Sequence, residues 1–150
     1  MRDIVRVLET YSQSKGFVFH YGRQNVLNLI DTGNNFSGNL TDIYLLLEFR
    51  NIKPRKNSTK TNTTGTDFNG TFYLVKHSDL DQQFFQEVGI QKDSKYVQNI
   101  EPLLTELDAF TSYFGCDEIE FNITNAIEVT DFIDANADGL MINFTAYIPK

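Results

Sequence analysis

Asp131-Phe-Ile-Asp134-Ala-Asn136-Ala-Asp138-Gly139-Leu-Met-Ile-Asn-Phe-Thr-Ala-Tyr-Ile-Pro-Lys150 carries two competing signals. Asp134, Asn136, Asp138 and Gly139 match the first half of an EF-hand calcium loop, which needs oxygen ligands at alternate positions and a glycine for the sharp turn. Immediately afterwards Leu140, Ile142, Phe144, Ala146 and Ile148 alternate with Met141, Asn143, Thr145 and Tyr147. That is the two-residue period of a strand with two different faces. The twelfth position of the calcium loop should be a bidentate glutamate, and here it is Thr145. The segment also leads straight into a strand pattern rather than a helix. The expected reading is therefore a tight turn through Asn136, Asp138 and Gly139, residue types that tolerate a left-handed backbone, feeding a terminal strand.

Working outward, the stretch before this segment is acidic and extended. Glu118 to Ile123 alternates as a strand, and Ala126 to Phe132 continues extended or as a short turn. Asp117, Glu118 and Glu120 form a small carboxylate cluster. Two carboxylates on one strand face suit acid–base chemistry or a metal, but no histidine or cysteine accompanies them. A solvated face is the expected role from the residues alone. Further upstream, Ile100, Leu103, Leu104, Leu107, Phe110, Tyr113 and Phe114 recur at three- and four-residue spacing. This predicts the main helix, with Pro102 in its first turn and Gly115 at its end.

At the other end, Ile4, Val7, Leu8 and Tyr11 share one face of a short helix over Asp3–Ser14, with Gly16 as its stop. Phe17 to Tyr21 reads as a short strand. Ile43 to Phe49 and Phe68 to Val75 read as two central strands. Between them, Lys53 to Thr66 contains four cations (Lys53, Arg55, Lys56, Lys60), no anion and nothing apolar to bury. Hairpin loops usually take about two to five residues, so this stretch is expected to be a long basic loop that orders on a partner. The elements together predict one α+β domain over residues 1–150: a mostly antiparallel sheet, two helices on one face, and a long loop between two central strands.

Composition narrows function. The chain has 150 residues, 41% of them hydrophobic, with thirteen Phe and seven Tyr to fill a core. One cysteine, Cys116, excludes an internal disulfide framework. The first residues lack the apolar core of a signal peptide, and no apolar run reaches membrane-spanning length. The expected place of synthesis is the cytosol, which makes the Asn-x-Ser/Thr triplets at Asn35, Asn39, Asn57, Asn62, Asn69, Asn122 and Asn143 products of composition. Net charge is −7, divided unevenly. Residues 1–66 hold nine Lys/Arg against five Asp/Glu, a net of +4, and residues 67–150 hold four against fifteen, a net of −11. An acidic chain is poorly suited to gripping nucleic acid. Opposite charge on two halves instead suits orientation in a head-to-tail assembly. His20 and His77 are isolated in sequence, and phosphate loops, zinc spacings and nucleophile elbows are absent. The chain is expected to be no enzyme and to need no cofactor. The alternatives are a calcium-dependent module or small carboxylate enzyme built on Asp134, Asn136, Asp138 and the carboxylates of Asp117, Glu118 and Glu120, and an adaptor that holds a peptide along a sheet edge.

The order of elements, with Phe17-Val-Phe-His-Tyr-Gly22 near the start and Asp134 to Pro149 at the end, resembles the small connector proteins of tailed bacteriophages, the tail-terminator or tail-completion group. Asn136 and Gly139 stand where that group has its asparagine- and glycine-containing turn, and Ile148-Pro149 where it ends in Val-Pro or Ile-Pro. The chain departs from the group in its 53–66 segment and its high Asn/Thr content. The resemblance implies a homo-oligomeric ring, six-fold or twelve-fold, at the head–tail joint of a virion assembled in the host cytoplasm. It implies portal, neck or tail proteins as neighbours, with DNA passing through the channel without specific binding. The basic 53–66 segment would then hold a neighbouring ring, and Asp117, Glu118 and Glu120 would form an acidic channel or interface face.

Overall fold

Residue Asp3 opens the first element, and its side chain explains why. In the computed structural model, which describes residues 3–22, 41–78, 95–115, 118–132 and 137–150, Asp3 is the N-cap of helix α1, Ile4–Lys15. Its Oδ1 accepts from the Val5 amide at 3.1 Å, satisfying one of the amides that a helix start leaves open. Gly16, at φ +72°, closes the helix in the left-handed conformation that glycine adopts without a Cβ penalty. Asp3 also accepts from the Arg50 guanidinium, at 2.9 Å from Nε and 2.6 Å from a terminal nitrogen. The cap thus fastens α1 to the sheet. Burial pushes the Asp3 carboxyl up, but the Arg50 and Val5 hydrogen bonds outweigh it and hold the pKa below its ordinary 3.8. A carboxyl lowered in this way stabilises the fold fully above its unfolded pKa and loses that contribution as pH falls below it. Asp3→Asn keeps a good cap and removes the charge. Its stability, followed by urea denaturation, is expected to fall less than wild type between pH 5 and pH 3.

Among the described residues, five strands make one sheet: β1 Val18–Tyr21, β2 Ile43–Lys56, β3 Thr63–His77, β4 Glu120–Phe132 and β5 Ala137–Pro149. Their order is β1-β2-β3-β5-β4. Among the described residues, only the β1–β2 pair is parallel. The fold is α+β, as expected. A π-helical turn, Tyr96–Ile100, runs directly into helix α2, Glu101–Phe114. Both helices pack on one face of the sheet. Ile4, Val7, Leu8 and Tyr11 of α1 and Leu103, Phe110 and Phe114 of α2 meet Leu45, Leu47, Phe72, Leu74, Leu140, Ile142 and Phe144. The two-residue period of the strands puts these sheet residues on the same side.

Two expectations need correction. The 53–66 segment is not a long loop. β2 continues to Lys56 and β3 begins at Thr63, so the pairing runs from Ile43↔Lys76 to Lys56↔Thr63. Only residues 57–62 form the turn. There the Asn57 side chain accepts from the amides of Thr61 at 2.9 Å and Asn62 at 3.3 Å, and Lys60 takes φ 57°. The segment folds without apolar side chains because Thr63, Thr64 and Thr66 favour extended backbone. β3 is also paired on its second side, with Gly65↔Pro149 and Thr66↔Ile148. Pro54 is tolerated because β2 is an outer strand here. The second correction concerns the terminal turn. Asp138 and Gly139 are strand residues, paired with Lys76 and Val75; Asn136 lies outside the described residues.

Candidate interaction surface

The sheet face opposite the helices divides along the strands. Near the Ile43 and His77 ends it is apolar and buried, with Tyr44, Leu46, Tyr73, Val75 and Ala137. Toward the 57–62 turn it becomes polar. A bulge between Leu47 and Phe49 marks the change on β2. The extra residue restores the outward alternation, so that Phe49, Asn51, Lys53 and Arg55 share the open face with their partners Thr71, Asn69, Asp67 and Gly65. β5 adds Asn143, Thr145 and Tyr147. β4 adds Glu120, Asn122 and Asn125 opposite them. The result is a four-strand polar surface holding a shallow depression of about 300 Å³, lined among others by Asn51, Lys53, Asp67, Asn69, Glu120 and Asn122.

Cross-strand pairs hold this surface rigid. Arg55 donates to Asp67 through Nε at 3.0 Å and through a second guanidinium nitrogen. Its guanidinium carbon lies 3.8 Å from the centre of the Tyr147 ring, a cation–π stack. The Asp67 hydrogen bond raises the Arg55 pKa above its ordinary value, and Tyr147 and Glu120 add to the effect. The Tyr147 hydroxyl donates to the Thr64 carbonyl at 3.1 Å. Further along, the Thr71 hydroxyl donates to Asn143 Oδ1 at 2.6 Å, and Asn143 Nδ2 donates to Asn125 Oδ1 at 2.6 Å. This chain of amides and hydroxyls ties β3, β5 and β4 together.

The structure therefore brings members of both predicted charged sets, Lys53 and Arg55 with Glu120, onto one surface. Lys53 lies in the same cross-strand row as Asp67, Tyr147 and Glu120, and Arg55, paired with Gly65 further along that face, reaches back to Asp67 and Tyr147. Arg55 is satisfied within its own hairpin. Lys53, Lys56 and Lys60 are exposed and have no carboxylate partner among the described residues. Glu118 is exposed just before β4, and Asp117 lies outside the described residues. Asp67 and Tyr147 were not singled out from sequence. Their role follows from the hairpin register, which was hidden once Lys53–Thr66 read as a loop.

No family model, no curated protein and no solved structure matches this chain. The surface must be read from its own chemistry. Among the described residues, no group of three or more His, Cys, Asp or Glu is placed to hold a metal. Asp138, a candidate calcium ligand, is fully buried in β5. It accepts from Asn99 Nδ2 at 3.2 Å and has Lys95 Nζ at 4.0 Å. A carboxylate enclosed by an amide donor and an ammonium group is already satisfied by the protein. Its function is to seat the π-helical turn on the end of the sheet, where the Lys76 ammonium also donates to the Gln98 carbonyl at 2.8 Å. His20 is half-buried on β1 and held toward its neutral form by burial. No described helix is long and apolar enough to cross a membrane.

Proposed function

We propose that the protein is a structural subunit of a homo-oligomeric ring at the head–tail joint of a tailed bacteriophage. The observation that supports this reading best is the basic end of the β2–β3 hairpin. It is pre-ordered by Arg55–Asp67, the Tyr147 stack and the Asn57 turn, and it carries uncommitted Lys53, Lys56 and Lys60. A rigid arm bears little ordering cost when it docks, and exposed cations steer it to an acidic partner. That is the equipment of an assembly protein, and the ordered hairpin keeps the partner role expected of the 53–66 residues. The phage setting rests on the resemblance carried by Phe17–Gly22 and the terminal strand. In that setting the neighbours are portal, neck or tail proteins, and the DNA passes without sequence-specific contact.

Light scattering on the purified chain is expected to give a mass of several subunits, with ring particles under negative-stain electron microscopy. A monomer at high concentration that also fails to bind portal and tail proteins would overturn the proposal.

A further inference from the structure

The sheet has two bare edges among the described residues, and they differ in charge. β4 is the outer strand on one side. It spans Glu120–Phe132 and contains no Lys, Arg or Pro, the residues that commonly protect an edge from pairing. Most of it is exposed, including Glu120, Glu128 and Ile127, the last at 47%. Neither Glu120 nor Glu128 forms an ion pair among the described residues. On the other side, β1 pairs with β2 only from Tyr44 to Leu47. Below that, β2 from Phe49 to Lys56 has no outer neighbour among the described residues. This length is basic, with Lys53 and Lys56 unpaired, and it exposes Phe49 at 41% and Ile52 at 45%. Pro54 limits how far backbone pairing can run along it.

We infer that the β4 edge of one copy receives the bare β2 edge of another. Resting on the self-assembly reading above, this names the surfaces that join the subunits. Three features support the match. Both edges have unused backbone donors and acceptors, which an added strand satisfies. One is acidic and the other basic, so β4 repels another β4 and attracts β2. Each carries exposed apolar side chains, Ile127 on one and Phe49 and Ile52 on the other, which bury surface when the edges meet. β2 and β4 run in opposite directions within the sheet. Copies set side by side with their strands aligned therefore pair antiparallel at this joint. Because the two edges are different surfaces, the contact is head-to-tail and propagates until it closes.

The test uses the full chain in three forms: wild type, Glu120→Lys/Glu128→Lys, and Lys53→Glu/Lys56→Glu. All four affected side chains are exposed, and circular dichroism checks that each form is folded. Each double variant alone places like charges across the joint and is expected to weaken association by about a hundredfold. Mixed in equal amounts, they restore opposite charge at every joint, and wild-type mass is expected to return. If wild type assembles and both variants assemble equally well, the edge assignment fails while the ring reading stands. If both dissociate and the mixture stays dissociated, the pairing of these two edges is likewise overturned. If wild type is a monomer at every concentration, the ring reading itself falls.

Discussion

Gly139→Ala is expected to lower the melting temperature by about 10 °C, the equivalent of about 3 kcal/mol for a chain of this size. The reason is space. A Cβ on Gly139 would sit 2.0 Å from the Leu74 carbonyl oxygen and 2.7 Å from Val75 Cα. Both are backbone atoms of β3, so no side chain can swing aside. β5 lies between β3 and β4, and on its other flank the β4 register shifts between Val129 and Phe132. The β3 and β5 backbones approach so closely here that only a glycine fits. Relieving the clash means opening the β3–β5 ladder beside Leu74 and Leu140, both in the helix-side core. Gly16→Ala makes the control. A Cβ there meets nothing within 4 Å, although its φ of +72° still disfavours alanine, at a cost of about 1 kcal/mol. Differential scanning calorimetry separates the two. Equal, small shifts for both would mean that β3 and β5 do not approach as described.

How far this architecture is legible from sequence depends on whether its residues meet apolar or polar partners. Helix α1 is readable because Ile4, Val7, Leu8 and Tyr11 repeat at helical spacing between a good N-cap and a glycine. The spacing of Leu103, Phe110 and Phe114 shows α2 in the same way, though not the π-helical turn before it. That turn depends on Asp138, which is far away in sequence. The sheet centre is visible in Ile43–Phe49 and Phe68–Val75. The outer halves of β2 and β3 are not, since their stabilising partners are polar and distant: Asp67 for Arg55, Tyr147 for the same guanidinium, Pro149 for Gly65. For β4 the sequence reads as a strand over Glu118 to Ile123, with Ala126 to Phe132 continuing extended or as a short turn. The structure shows one strand with a register shift between Ile123 and Asn125. The Asp138-Gly139 pair carries a turn's composition but serves two other needs, a buried carboxylate and a close backbone approach. Local chemistry names the residue types, and the neighbouring strand decides their use.

Phe110→Ala is expected to cost about 3–5 kcal/mol, a large share of the roughly 5–15 kcal/mol that holds a domain folded. Phe110 is fully buried and is the point where both helices and the sheet meet. Its ring centre lies 4.7 Å from Tyr11 on α1, 4.9 Å from Phe114 on its own helix, 5.3 Å from Phe72 on β3 and 4.9 Å from Phe121 on β4. Edge-on geometry with Tyr11 and Phe121, at 75° and 71°, adds to the area term. Truncation therefore removes a large buried side chain and several ring contacts at once. Its neighbours are themselves held by other contacts, Phe121 stacked on Phe144 at 5.1 Å among them, so the cavity collapses poorly and the cost stays high. Phe110→Leu fills most of that volume and is expected to cost under about 1.5 kcal/mol. Tyr113, next on the same helix but 45% exposed, should tolerate truncation far better. Urea denaturation of the three variants measures the order. If Phe110→Ala cost no more than Tyr113→Ala, α2 would not be packed on the sheet through this face, and the helical layer would have to be placed elsewhere.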